Sequence, residues 1–354
     1  LTLLVDFCEE NKISHMRIRG VTYDTGFINN GVTTKEIFDI NIIKREMQII
    51  KNDLHCNAVR ITGGDADRLE ITAGLAAEAG LEVWYCPFTC DLTIEVLKNF
   101  LIDAAERAER IRSTGAEVVF ITGSEITLVT KGFFSDDKFN DRIHLLKDPV
   151  KLREKIPEVR NRLNEFFKEL VPLIREQFHG KISYASLPFE SVDWSLFDII
   201  ATDGAYRTAG NAANYEKLME AFVSQGKPAA ITEFGCGTYI GAADATDSIW
   251  IVDWVDGKPD KLNGNYIRYE HEQAAYILEL LQIFDAAKVD AAFLTSFAAY
   301  MSPHREDPVY DLDIASYGIV KVYENKFGET YPDMHWEPKE SFKVIAEYFW
   351  SDSK

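Results

Sequence analysis

Two glutamates stand where apolar runs break off. Glu125 closes Val118-Val119-Phe120-Ile121-Thr122-Gly123-Ser124-Glu125, and Glu233 closes Ala230-Ile231-Thr232-Glu233 ahead of Phe234-Gly235. Apolar surroundings raise a carboxyl pKa, whereas nearby cations and hydrogen-bond donors lower it. Two glutamates in unlike surroundings can therefore divide into a protonated acid and an ionised partner. Cleavage of a glycosidic bond needs such a pair: one group protonates the leaving oxygen, the other serves as nucleophile or base from the opposite face. The blander alternative is a structural ion pair at a polar rim, and a single strand-end glutamate would not exceed it.

What must position the pair is a repeat of short apolar strand and longer amphipathic segment along the chain. Strands are expected at 17–23, 58–62, 81–87, 116–122, 181–186, 197–202, 229–232 and 291–297. Helices are expected at 35–52, 65–80, 93–114, 158–178, 214–225, 271–287 and 338–350. Such alternation leaves a closed barrel or an open doubly wound sheet. Eight strands favour the barrel, and no Gly-rich nucleotide fingerprint follows the first strand. The expected fold is thus an α/β (β/α)8 TIM barrel, a single domain over 1–354. Long insertions at 126–157, 235–269 and 298–337 follow strands four, seven and eight, on the face where barrels build their sites. Glu125 and Glu233 then end the fourth and seventh strands, a more specific placement than either alone.

Composition narrows the class. The 354 residues are 46% hydrophobic, enough for a large core, and 57 acidic against 38 basic residues give a net charge of −19. That charge repels phosphate backbones, so nucleic acid is excluded as a partner. No apolar stretch is long enough to span a membrane. The five cysteines, Cys8, Cys56, Cys86, Cys90 and Cys236, are odd in number and scattered, which reads as reduced thiols. With no signal-peptide pattern in residues 1–12, a cytoplasmic location is expected. The seven histidines form no His-x-His or His-Glu-x-x-His pattern, and Cys86-x3-Cys90 has no partner pair. Neither a metal nor another cofactor is expected. No lysine ends strand six, which disfavours a Schiff-base mechanism.

The strand-end motifs resemble those of clan A of the glycoside hydrolases, which are retaining (β/α)8 enzymes. Thr232-Glu233-Phe234-Gly235 is similar to the clan's nucleophile site. The resemblance implies Glu125 as acid/base and Glu233 as nucleophile. It also implies Arg60 on strand two as a charge near the nucleophile, and Tyr206 after strand six as a donor to it. The pattern departs at two places. Ser124 stands where the clan has an asparagine that contacts the sugar 2-hydroxyl, and Phe297-Ala298-Ala299-Tyr300 replaces the usual tryptophan. Both departures leave the sugar open. The 53–60 and 315–318 stretches also resemble bacterial proteins loosely labelled abortive phage infection proteins, a label that names no chemistry.

Further rim residues are Asp24, Asp91, Glu190 and Asp203, expected to cap helices, hold loops or bind sugar hydroxyls, with Glu190 as the rival to Glu125. Trp250 and Trp254, four apart in an expected strand over 249–254, offer an aromatic shelf or simple packing. The function expected is a cofactor-free retaining O-glycoside hydrolase for a small glycoside or short oligosaccharide. A transglycosidase using the same carboxylates, and a non-catalytic barrel acting as a ligand-binding or phage-defence protein, are the alternatives.

Overall fold

The computed structural model describes residues 15–29, 31–135, 138–245 and 250–351. Cys8, the N-terminal stretch 1–12 and Ile249 lie outside the described residues.

Eight parallel strands form one sheet: β1 (Ile18–Asp24), β2 (Ala58–Gly63), β3 (Glu82–Pro87), β4 (Val118–Ser124), β5 (Lys181–Ala185), β6 (Ile200–Thr202), β7 (Ala229–Phe234) and β8 (Ala291–Leu294). Pairing runs from β1 to β5 in chain order, and β1 also pairs with β8, β8 with β7, and β7 with β6. The two ends, β5 and β6, meet at a narrow seam. It holds one bridge between Ser186 and Thr202, with backbone bonds from Asp198 N to Ile182 O and Asp203 N to Ser186 O.

The strands are buried on both faces, which is why they read as nearly unbroken apolar runs. Inside the barrel, Ile18, Trp84, Val119, Ile121, Ile199 and Phe293 pack with small residues into one cluster. A Cβ on Gly20 would sit 2.5 Å from the Phe293 ring, so only glycine leaves room for that ring on β1. The opposite strand faces meet the surrounding helices in a second, larger core.

Helices α1 (Ile40–Asn52), α2 (Ala66–Glu78) and α3 (Ile94–Arg112) start at Asp39, Asp65 and Thr93, whose side chains accept from the first-turn amides. Gly80 and Gly115, at φ 78° and 97°, follow the last turns of α2 and α3. After β4 come the short helices α4 (Ile126–Val129) and α5 (Phe139–His144), then α6 (Pro149–Gln177). From sequence that last helix is expected at 158–178. It starts earlier, since Asp148 and Pro149 form a good cap and first position. Burial of Val159, Leu163, Phe166, Phe167 and Leu170 carries it through Pro157 and Pro172.

Three further helices are α7 (Tyr215–Val223), α8 (Glu270–Ala286) and α9 (Glu340–Ser351). Between β5 and β6 the chain forms only the turn Trp194–Leu196, and no α-helix follows β5 there. Where a helix would lie there is a cleft of about 520 Å³, lined by Leu187, Trp194, Leu218, Met219 and Phe222 and reaching Tyr206. Among the described residues no helix is long and apolar enough to cross a membrane.

Candidate active site

The site is built by an irregularity at the end of β4. Gly123 (φ 105°) precedes Glu125 in the left-handed region (φ 49°, ψ 32°), and the register with β5 shifts between Ile121 and Ser124. A regular strand would send successive side chains to opposite faces. The shift brings both Ser124 and Glu125 to the barrel mouth, at a backbone cost of roughly 1–2 kcal/mol for the left-handed glutamate. Across the mouth, Glu233 leaves β7 just before Gly235, where a Cβ would lie 2.9 Å from the Thr295 carbonyl.

One carboxylate oxygen from each of Glu125, Asp203 and Glu233 lies within 4.8 Å of the others. Tyr206 donates to Glu233 Oε1 at 2.6 Å, and the ring of Tyr317 packs edge-on against it. Arg60 rises from β2 into the buried floor. It donates to the Thr232 carbonyl (2.9 Å), Ser124 Oγ (3.0 Å), Asp203 Oδ2 (3.2 Å) and Cys86 Sγ (3.5 Å). Ser124 donates in turn to Asp203 Oδ2.

Electrostatics separate the two glutamates. Burial pushes the Glu125 carboxyl well above the usual range, the charges of Glu233, Asp203 and Glu190 add to this, and Arg60 opposes it. Burial and Asp203 also raise Glu233, but Arg60 and the Tyr206 hydroxyl pull it back, leaving it at about 7. Arg60 stays protonated, because Asp203, Cys86 and Glu233 outweigh the effect of its burial. Glu125 is therefore the better proton holder and Glu233 the better anion. The same three carboxylates are close enough to share a cation, although Arg60 already supplies positive charge at Asp203.

Other expected site residues are placed elsewhere. Glu190 is buried behind Glu125, where it accepts from Tyr184, the Thr127 hydroxyl and Leu187 N, and so braces α4. Asp24 accepts from Thr34 and from Gly26 N, holding its own loop. Tyr300 donates to Glu46, which also accepts from Tyr23 and from Trp336 Nε1 (2.9 Å), with Lys35 Nζ at 3.9 Å. Tyr300 thus belongs to a separate buried cluster that ties the loop after β8 to α1. The 249–254 strand begins only at Val252, closed by Asp256-Gly257, both at positive φ. Trp250 precedes that strand, its ring 5.8 Å from His144 and capped by Lys147 Nζ at 3.6 Å. Trp254 stands half exposed on the strand.

The Glu46 cluster was missed from sequence. Its signal is a glutamate at a core position of α1, on the face that buries Ile43, Met47 and Ile50. Glu46→Ala would strand the Lys35 charge and three donors at once. The expected loss of stability is about 3–5 kcal/mol, read from urea unfolding.

No family model matches the sequence, and no curated protein matches it. Solved structures do match. The chain superposes on a GH113 β-1,4-mannanase with a TM-score of 0.62 at 16% identity, covering 95% of this chain and 99% of that one. The fold is a (β/α)8 barrel. A second GH113 β-mannanase, from Alicyclobacillus acidocaldarius, gives 0.60 at 15% identity over 95% of this barrel and 98% of that chain. The β-glucuronidase of Parabacteroides merdae gives 0.57 at 15% identity, with 94% of this barrel matched to 36% of that chain. At these identities the likeness is one of fold, and chemistry must be argued from the residues at the barrel mouth.

Proposed function

We propose that this barrel is a retaining O-glycoside hydrolase acting on a small neutral glycoside or short oligosaccharide. The observation that carries the reading is the facing pair, Glu125 and Glu233, in contrasted surroundings with carboxylate oxygens within 4.8 Å. Retaining enzymes hold their carboxyl groups roughly 5–5.5 Å apart and inverting ones roughly 6.5–9.5 Å apart, and oxygens this near admit the close spacing that direct attack needs. Glu125 protonates the leaving oxygen while Glu233 attacks the anomeric carbon. A water deprotonated by Glu125 then releases the sugar and restores both groups. With Glu125 protonated, the carboxylates of Asp203 and Glu233 still disfavour a uronic acid, so mannosides are better candidates than glucuronides, the two classes that the structural neighbours' names supply.

The test is a panel of aryl glycosides and short oligosaccharides, with the product anomer followed by NMR. Turnover with retained configuration supports the proposal; inversion, or no turnover on any member, overturns it. Products extended by an added acceptor sugar would assign transglycosylation to the same pair.

Tyr206 offers an independent check. Its hydroxyl favours the ionised form of Glu233, by roughly 1.5–3 kcal/mol for a bond to a charged group. Tyr206→Phe is expected to lower kcat/KM by about 10–100-fold. Without the donor the Glu233 pKa rises, so the acidic limb of the pH profile should move up. An unchanged rate and profile would remove Tyr206 from the site.

A further inference from the structure

Asp203 is the member of the carboxylate trio that solvent cannot reach. It is fully buried directly after β6, whereas Glu125 and Glu233 are only partly buried. Its Oδ2 accepts from Ser124 and Arg60, and its buried Oδ1 has no hydrogen-bond partner. Arg60 directs its terminal nitrogens to Asp203, Ser124, Cys86 and the Thr232 carbonyl, and forms no hydrogen bond with either glutamate. A guanidinium free to fork onto Glu233 would form a strong charge-assisted pair and leave the nucleophile weaker.

We propose that Asp203 is a positioning residue, whose carboxylate draws the Arg60 guanidinium off Glu233 and sets a fixed negative charge beside both reacting groups. It rests on the two-glutamate reading of the site, and it explains why Ser124 is tolerated beside Glu125: the hydroxyl is small enough to let Asp203 and Arg60 meet. The other titratable groups facing the pair are Cys86 from β3, Tyr184 and Glu190 from β5 and its loop, Tyr206 after β6, and Tyr317 from the loop after β8. Of the acidic groups, Asp203 acts on both glutamates and raises both.

Asp203→Asn preserves shape and leaves an acceptor for Ser124 and Arg60 while removing the charge. On a glycoside turned over by the wild type, both limbs of the kcat/KM profile are expected to move down by about one pH unit. A lower rate with unmoved limbs would mean a packing role and overturn the proposal. Asp203→Glu, which restores the charge, should bring the limbs back toward the wild-type positions. If asparagine is not accommodated, Asp203→Ser is the second neutral variant, with the same expectation.

A readout without substrate separates this from the glycosidase reading. Buried carboxyls with raised pKa values lose their stabilising effect as pH rises. The thermal midpoint of Asp203→Asn should therefore fall less steeply than the wild type's between about pH 5 and 8. Equal slopes overturn the role of Asp203. A flatter slope in a protein that cleaves no glycoside would sink the glycosidase reading and leave the role standing.

Discussion

Glu233→Gln is expected to bring glycoside turnover down by about 10⁴-fold or more, the scale on which losing a covalent nucleophile acts. The amide matches the carboxylate in shape and still accepts from the Tyr206 hydroxyl, which lies 2.6 Å from Oε1. Substrate binding should therefore change little, and the loss should fall on kcat. Stability should move the other way. The folded-state pKa of Glu233 is about 7, above its ordinary value of 4.5. The protonated group thus contributes stability below about pH 4.5 that is lost as pH rises through 7. Glutamine does not titrate, so the variant should melt a few degrees above the wild type at pH 8 and converge with it near pH 4. A variant that keeps its turnover would remove Glu233 from the chemistry. One no more stable at pH 8 would contradict its burial as a charge.

Glu125→Gln is expected to cost about 10²–10⁴-fold, the range general acid catalysis supplies, and the loss should depend on the leaving group. An alkoxide departs poorly without a proton, so sugar–sugar bonds should suffer in full. An activated phenolate needs no proton to leave, so a dinitrophenyl glycoside should react in the first step nearly as fast as with the wild type. The second step still needs a base for water, and the glycosyl enzyme should accumulate as a burst of phenol. Equal losses on both substrate types would assign the proton to another group. Glu190, itself raised to about 7 by burial, is the nearest rival, but four donors already fix its carboxylate.

Much of this was legible in the sequence, for reasons particular to certain residues. Strands buried on both faces leave apolar runs that are hard to mistake, and a glutamate breaking such a run at Glu125 or Glu233 is visible as an interruption. Arg60 and Tyr206 follow from the resemblance to clan A glycoside hydrolases, once the strands are counted. What failed was anything set by contact between distant segments. Tyr300 follows β8 closely enough to suggest a rim residue, yet its partner Glu46 lies 254 positions away on α1. The Asp203–Ser124–Arg60 triangle joins three strands and leaves no local pattern. The shift that sends Ser124 and Glu125 the same way is equally silent, because Gly123 reads as an ordinary strand-end glycine.

The seam between β5 and β6 gives the barrel a direction of weakness. Every other neighbouring pair of strands is held by a ladder, and a helix follows each of the other strands along the chain. Here a short turn and an open cleft take the helix's place. Closure entropy for a barrel is repaid by its last ladder, and this last ladder is the shortest. Thermal opening should therefore begin as an unzipping along this line, with the rest of the sheet intact as a curved open sheet. Asp203 and Tyr206 follow directly on β6, so the strand that closes the barrel also carries the charge that raises both glutamates and the donor that pulls Glu233 back. An opened barrel would lose its electrostatic asymmetry before it lost its core.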